Sequence, residues 1–105
     1  MKAEGEELMK TKEEILKILR NEIPNLKEKF NVKTIALFGS YARGEQTEKS
    51  DIDLLVEFEK PTDFFKLIEL EEYLSELLKT KVEVVTPDAI KERLKPYIMR
   101  DLAYV

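Results

Sequence analysis

The sequence predicts an α+β domain in which a small β-sheet is flanked by helices. Apolar residues recur at helical spacing in two long segments, and three short runs are rich in β-branched residues or alternate between apolar and polar residues. The chain has 105 residues and 12.3 kDa, which is room for one domain with a core of its own. We expect residues 1–10 to form a polar tail and residues 11–105 to form this single domain.

The first helix is predicted from Thr11 to Asn21. The segment Thr11-Lys12-Glu13-Glu14 is a capping box, and apolar residues follow at helical spacing as far as Pro24, which is expected to end the helix. A short helix or turn over Asn25 to Phe30 then leads into the first strand.

Two strands are predicted on either side of a short helix and a polar loop. The first is Val32 to Phe38, a β-branched and aromatic run that stops at Gly39, and Ser40 to Gln46 is expected to start a short helix. The second strand, Asp51 to Glu57, alternates clearly. Because strand side chains alternate between faces, one face is predicted to be core (Ile52, Leu54, Val56, Phe58) and the other to carry the acids (Asp51, Asp53, Leu55, Glu57).

The second half of the chain is predicted to hold a long helix, a third strand and a last helix. Thr62 is expected to cap the long helix, which ends near Lys79, and the third strand is Lys81 to Val85. Thr86 is expected to cap the last helix, with Pro87 at its first position. The apolar C-terminal residues either close the core or form an exposed interface patch, and the sequence leaves both open (Tyr97, Ile98, Leu102 to Val105).

Composition excludes several kinds of chemistry. The chain has no Cys and no His, so thiolate sites and Ser-His catalysis are excluded, and any metal must be held by oxygen. With 22 acidic and 18 basic residues the net charge is −4, which does not favour direct nucleic-acid binding. No apolar run approaches the ~20 residues of a membrane span, so we expect a cytoplasmic protein without a membrane partner.

Two short motifs carry the functional signal. Gly39 lets backbone N–H groups approach an anion, and Ser40 adds a hydroxyl donor at the end of the first strand. Asp51 and Asp53 project the same way from the second strand, close enough to share Mg²⁺. A Gly-Ser turn alone is ordinary, and Asp-x-Asp alone is commonly a solvated face. The two motifs together are far more specific.

The spaced motif resembles a known signature. Gly39-Ser40, ten residues, then Asp51-Ile52-Asp53, in the contexts ALFGSYARGE and SDIDLLVEF, is similar to the signature of the DNA polymerase beta-type nucleotidyltransferase superfamily. The segment from VVTPDAI to LAYV resembles the minimal nucleotidyltransferases, which are antitoxin partners of HEPN-domain toxins. The resemblance implies a polymerase-beta-like palm with a small mixed β-sheet, one or two Mg²⁺ ions, and ATP as substrate.

The resemblance also implies roles for individual residues. Gly39 and Ser40 are expected to bind the nucleotide's phosphates, and Asp51 and Asp53 to be catalytic metal ligands. The third acid of the family falls on Glu83, where aspartate is usual. Glu83 is therefore either a third catalytic and metal-binding carboxylate or an exposed strand glutamate.

Two residues just past the Gly-Ser turn invite different interpretations. Arg43 lies in the segment Tyr41-Ala42-Arg43-Gly44, which is typical of the family, and an arginine there can pair with a phosphate. We assign Arg43 to nucleotide binding, with a helix-surface arginine as the alternative. Tyr41 is expected to pack in the core.

The resemblance implies an activity and a partner. The expected reaction transfers AMP from ATP to a tyrosine hydroxyl of a cognate HEPN-domain ribonuclease toxin, which would block RNA cutting. The alternative is an antitoxin that neutralises the toxin by binding alone, suggested by Glu83 in place of aspartate and by the apolar C-terminal residues. A small-molecule nucleotidyltransferase is a third and weaker hypothesis. Those relatives carry an additional helical domain, and the length of this chain argues against one.

Overall fold

The fold is a four-stranded β-sheet with helices packed against it. The structure, a computed structural model, describes residues 9–105. Of the predicted polar tail 1–10, residues 1–8 lie outside the described residues. In chain order the elements are α1 (Lys12–Phe30), β1 (Val32–Phe38), α2 (Ser40–Arg43), β2 (Ile52–Phe58), α3 (Phe64–Leu78), β3 (Val82–Val85), two 3₁₀ turns (Pro87–Ala89, Glu92–Leu94), α4 (Lys95–Arg100) and β4 (Ala103–Tyr104).

The strand order across the sheet is β3-β2-β1-β4. Strand β1 pairs antiparallel with β2 on one side and with β4 on the other, while β2 and β3 are parallel. Parallel neighbours need a crossover connection, and α3 supplies it. The sheet is therefore mixed and flanked by helices, which confirms the predicted fold class.

The core lies between the long helices and one face of the sheet. Its fully buried side chains come from both kinds of element (Ile15, Leu19 and Leu26 of α1; Leu37, Ile52, Leu54 and Val56 of the central strands; Leu70, Leu74 and Leu78 of α3). The alternation in β2 thus predicted the core face. Leu55, on the opposite face, is also buried.

Helix α1 is longer than predicted. Its capping box is confirmed, because the Thr11 hydroxyl accepts from the Glu14 N–H and the Glu14 carboxylate accepts from the Thr11 N–H. The predicted end at Pro24 is wrong: proline removes one N–H donor, but Leu26 beyond it is fully buried and holds the next turn on the core. The helix ends instead at Asn31, whose backbone is left-handed.

Three other boundaries differ from the prediction. Helix α3 is capped by Asp63 rather than Thr62, since the Asp63 carboxylate accepts from the Lys66 N–H at 2.8 Å. The short helix after Gly39 stops at Arg43. The predicted last helix is divided into two 3₁₀ turns and α4, and the Thr86 side chain makes no capping bond. Pro96, which lacks an N–H, lies at the start of α4 and favours a new beginning there.

The C-terminal residues divide between the two predicted alternatives. Ala103 and Val105 pack against the core, and the Val105 N–H donates to the Ile35 carbonyl at 3.0 Å. Tyr97 and Tyr104 are exposed. Residues 102–105 therefore close the edge of the sheet beside β1, while α4 presents an exposed aromatic side chain. Within residues 9–105, no helix combines the length and apolar character that crossing a membrane requires.

Candidate active site

The sheet register brings the predicted site residues to one edge. Phe38, the last residue of β1, pairs with Asp53, and Asp53 pairs with Glu83 on the parallel neighbour β3. Paired residues on adjacent strands point to the same face of a sheet. Gly39, which directly follows β1, therefore lies in line with the Asp53 and Glu83 carboxylates, as the spaced motif predicts.

Asp51, Asp53 and Glu83 form a group of carboxylates that we call the acidic row. Gly39 lies against one of them, Asp53. The Gly39 backbone has φ +78° and ψ −157°, a conformation that residues with a side chain rarely adopt. A Cβ added to Gly39 would overlap the Asp53 Oδ2 atom. Glycine is required here both by the backbone and by the close approach of the Asp53 carboxylate, which leaves no room for a side chain.

Ser40 and Tyr41 begin the short helix α2. Gly39 is the N-cap residue of α2, and its carbonyl accepts from the Ala42 and Arg43 N–H groups, both at 3.1 Å. The sequence suggested that a helix here would aim its positive end at a phosphate, but α2 has four residues, so its dipole is small. Tyr41 is buried, as predicted, and anchors α2 to the core below the partly exposed Ser40.

The electrostatics of the row converge on Asp53. Partial burial, with smaller contributions from the negative charges of Glu83 and Asp51, raises the pKa of this carboxyl to about 6, while Arg43 opposes the rise. Burial and the neighbouring negative charges thus destabilise the ionised form of Asp53. The row is therefore a place where an added positive charge is strongly stabilised.

Asp51 lies at the exposed end of the same face. Its side chain is 38% exposed, and its Oδ2 lies 4.0 Å from the Lys81 Nζ. Lys81 immediately precedes β3 and was not among the predicted site residues. Its position opposite Asp51 follows from the parallel pairing of β2 with β3, which no local pattern near Lys81 indicates.

The acidic row has the donor atoms that Mg²⁺ prefers, because carboxylate oxygens are its usual protein ligands. Within residues 9–105, no three acidic side chains lie close enough together to form a ready-made metal cluster. The row nonetheless suits a divalent ion in its charge: Asp51 and Glu83 both raise the pKa of Asp53, so three carboxylates concentrate negative charge at this edge of the sheet. These three carboxylates are the residues that would hold it.

Arg43 lies at the rim of this row and is held by two carboxylates. Its Nε donates to Glu45 Oε1 and its Nη1 to Asp101 Oδ2, both at 3.0 Å. The hydrogen bonds to Glu45 and then Asp101 raise the pKa of the guanidinium. Asp101 was not among the predicted site residues, because it is 58 positions away from Arg43 and no sequence motif marks it.

A cavity of about 590 Å³ lies elsewhere, lined by the end of β2 and the loops that follow β2 and β3. Its walls include Phe58, Thr62 and Thr86. Asp51 and Asp53 lie at the start of β2, at the other end of the strand. The acidic row is consequently part of the open face of the sheet, and Glu83 is exposed to solvent.

Known proteins resemble this chain in sequence. The family model of the nucleotidyltransferase domain matches residues 12–105. A protein of Methanocaldococcus jannaschii, provisionally named a protein adenylyltransferase, is 58% identical over 98 residues, which cover 92% of this chain and 100% of that protein.

Two solved structures resemble the fold. One, provisionally described as a minimal nucleotidyltransferase, has a TM-score of 0.73 and 31% sequence identity, covering 90% of this chain and 95% of that one. The other is a complex of a tri-AMPylated Shewanella oneidensis HEPN toxin with an MNT antitoxin, with a TM-score of 0.56 and 26% identity over 89% of this chain and 66% of that one.

The matched region contains the whole candidate site. Gly39, Ser40, Asp51, Asp53 and Glu83 all lie within the residues that the family model covers. The register pairs Asp53 with Glu83 and with Phe38, the residue before Gly39. Sequence, fold and site thus agree that the chain is a nucleotidyltransferase and belongs to the minimal nucleotidyltransferase family of the nucleotidyltransferase domain proteins.

Proposed function

We propose that this protein is an Mg²⁺-dependent antitoxin that transfers AMP from ATP to a tyrosine hydroxyl of a cognate HEPN-domain toxin. The observation that carries the proposal is the contact between the Gly39 backbone and the Asp53 carboxylate, with Glu83 as the register neighbour of Asp53. This contact puts the proposed phosphate-binding turn next to the carboxylates that we assign to cation binding. The AMPylated toxin bound to an MNT antitoxin supports the choice of reaction and partner.

We assign phosphate binding to the turn after β1. The Gly39 backbone lets the triphosphate approach closely, and the Ser40 hydroxyl and the Arg43 guanidinium donate hydrogen bonds to its oxygens. These donors orient the α-phosphate beside the acidic row, so that binding energy is used for positioning.

We assign metal binding to Asp51, Asp53 and Glu83. A divalent ion held there would neutralise charge on the triphosphate and would favour the ionised form of the acceptor hydroxyl. In the reaction, the tyrosine oxygen forms a bond to the α-phosphorus, the bond between the α- and β-phosphates breaks, and pyrophosphate leaves. Glu83, exposed on the open face, accepts the hydroxyl proton.

The open face also supports a protein acceptor. The acidic row is not enclosed, since Glu83 is exposed and the Asp51 side chain is 38% exposed. A tyrosine on the surface of another protein can reach such a row without entering a deep pocket. A small-molecule acceptor needs enclosing walls, because buried contact is the main source of its affinity.

The alternative is an antitoxin that acts by binding alone. Two observations favour it. Within the described residues the acids do not form a ready-made metal cluster. The third acid, Glu83, is an exposed glutamate. Such a protein neutralises its toxin whether or not nucleotide is present, so the two functions predict different results for the same variant.

The experiment is intact-mass spectrometry of the HEPN-domain toxin after incubation with this protein and MgATP. We expect whole AMP units on the toxin with the wild type and none with the double variant Asp51→Asn, Asp53→Asn. Glu57→Gln is the matched control: Glu57 is an exposed carboxylate of the same strand and face, bonded to the Thr34 hydroxyl at 2.9 Å. It lies outside the proposed machinery.

Two results discriminate between the functions. A toxin that is neutralised with no added mass, and equally well by the double variant, supports binding alone and overturns the transfer proposal. Added mass that peptide mapping places on a tyrosine and that disappears with EDTA supports the Mg²⁺-dependent reaction. Added mass on a residue other than tyrosine overturns the proposed acceptor.

A further inference from the structure

The Arg43 guanidinium is clamped from two directions. Glu45 binds its Nε and Asp101 binds its Nη1, each at 3.0 Å. An arginine presents its five N–H groups in a rigid planar fork. The two bonds fix the plane of the guanidinium and use Nε and Nη1. The third nitrogen, Nη2, can therefore donate to another partner.

The two carboxylates of the clamp differ in how firmly they are held. Glu45 is 66% exposed and only two residues from Arg43, in the turn that follows α2. The Asp101 side chain is 23% exposed, and its backbone N–H donates to the Ile98 carbonyl at 3.2 Å. An exposed pair contributes little to orientation because water competes and two flexible side chains must be ordered. Asp101 is the firmer half of the clamp.

Asp101 also connects Arg43 to the sheet. It lies two residues before β4, and Ala103 of β4 pairs with Leu37 of β1, the strand that leads to Gly39. The clamp and the phosphate turn are therefore fixed to the same strand. The charge of Arg43 also reaches the acidic row, since it opposes the rise in the pKa of Asp53.

We propose that Asp101 is a positioning residue, which holds the Arg43 guanidinium at the rim of the acidic row with Nη2 available to the triphosphate of the bound nucleotide. This inference rests on the proposed nucleotide binding and goes beyond it by giving a role to the C-terminal segment. In this arrangement Asp101 contributes to nucleotide affinity through Arg43 and does not touch the nucleotide.

The test is the dissociation constant of MgATP, measured by isothermal titration calorimetry on the full chain. We expect Asp101→Ala to weaken binding by roughly five- to tenfold, the scale of one ordinary hydrogen bond. Asp101→Asn retains an oxygen that accepts from Nη1 and is expected to bind between the wild type and the alanine variant. Glu92→Ala is the matched control, since it removes an exposed ion pair to Lys95 in the same C-terminal segment.

A double-mutant cycle separates positioning from a general structural effect. In an Arg43→Ala background, we expect Asp101→Ala to cause no further loss of MgATP affinity, because there is no guanidinium left to hold. An equal loss in both backgrounds would overturn the inference. So would wild-type or tighter binding by Asp101→Ala, which would mean that Asp101 is idle or competes with the nucleotide for Arg43.

The affinity measurement keeps this inference distinct from the proposed function. If the wild type transfers AMP and Asp101→Ala binds MgATP normally, the inference fails and the proposed function stands. If the wild type binds MgATP without transferring AMP, the proposed reaction fails while the cycle still decides the role of Asp101. A wild type that binds no MgATP would overturn both. Thermal unfolding, followed by circular dichroism, shows whether each variant is folded. If Asp101→Ala is unfolded, the MgATP affinity of Asp101→Asn decides the role of Asp101.

Discussion

At the scale of single residues, Gly39 and Asp53 together make the candidate site. The glycine has no side chain where a Cβ would meet the Asp53 Oδ2, and the carboxyl has a pKa raised to about 6, chiefly by burial. The spaced motif predicted the neighbourhood of these two residues. It did not predict that their atoms touch, because the distance depends on the β1–β2 register.

A first prediction concerns two glycines that both have a positive φ but differ in ψ and in their surroundings. Gly39 has φ +78° and ψ −157°, a region essentially confined to glycine, whereas Gly44 has φ +72° and ψ 24°, in the left-handed region. Alanine at Gly44 strains the backbone by about 1–2 kcal/mol, and alanine at Gly39 strains it more. A Cβ at Gly44 meets no atom within 4 Å. We expect both variants to be destabilised in urea unfolding, but only Gly39→Ala to lose AMP transfer. Equal activity of the two variants would contradict the role given to the Gly39 contact.

A second prediction concerns the effect of the ionised Asp53 carboxylate on the free energy of unfolding. Its folded pKa of about 6 lies above its ordinary value of 3.8, so the folded state binds the proton more tightly and stability falls as pH rises through this window. Asp53→Asn removes that penalty. Because water partly screens the carboxyl, we expect a gain of about 1 kcal/mol in the free energy of unfolding at pH 7.

The measurement is urea unfolding of the wild type and Asp53→Asn in EDTA, at pH 7 and at pH 4.5. The difference between the two proteins is expected to shrink at the lower pH, where Asp53 is protonated in the folded wild type. A variant that is less stable than the wild type at pH 7 would contradict the assigned charge environment.

At the scale of elements, α1 and α3 are joined by a polar contact beside the core. The Tyr73 hydroxyl of α3 donates to the Glu22 carboxylate of α1 and accepts from the Asn25 side-chain amide at 2.7 Å. The bond between Tyr73 and Glu22 lowers the pKa of Glu22 and raises that of Tyr73, while the bond from Asn25 opposes the rise at Tyr73. The Tyr73 ring also packs against Phe30, with 5.5 Å between the ring centroids.

A third prediction tests this contact. Tyr73→Phe keeps the ring and removes the hydroxyl, so we expect a loss of about 1 kcal/mol in stability, the usual net value of such hydrogen bonding. Tyr97→Phe is the control, because Tyr97 is exposed and lies on α4. Urea unfolding at pH 7 measures both. Equal stability of Tyr73→Phe and the wild type would show that the polar contact adds nothing to helix packing.

Periodicity predicted the long elements and failed where tertiary contacts decide. The alternation in β2 was enough to place Asp51 and Asp53 on one face. Pro24 misled the prediction of α1, because the burial of Leu26 outweighs one missing hydrogen bond. Strand β4 has two residues and exists only through pairing with β1, so no local pattern predicts it. The Arg43–Asp101 contact was missed for the same reason.

At the scale of the whole molecule, the sheet brings distant segments to one edge. The end of β1 and the starts of β2 and β3 meet there, and the C-terminal segment adds Asp101 from the other side of β1. The long helices cover the opposite face. This division leaves the acidic row open to a large partner while the core remains closed.

A fourth prediction concerns Mg²⁺ and the stability of the whole chain. A cation that binds the folded acidic row, and not the unfolded chain, raises stability by about 1.4 kcal/mol at ten times its dissociation constant. We expect MgCl₂ to raise the unfolding midpoint of the wild type but not that of Asp51→Asn, Asp53→Asn, compared with NaCl at equal ionic strength. The same rise in both proteins would place Mg²⁺ elsewhere.

The most direct test of the central claim compares ATP labelled at the α-phosphate with ATP labelled at the γ-phosphate, each incubated with this protein, Mg²⁺ and the HEPN-domain toxin. Transfer of AMP predicts label on the toxin from the α position alone, and none when Asp51→Asn, Asp53→Asn replaces the wild type. Label from the γ position, or an unlabelled toxin that the wild type nevertheless neutralises, would contradict the account.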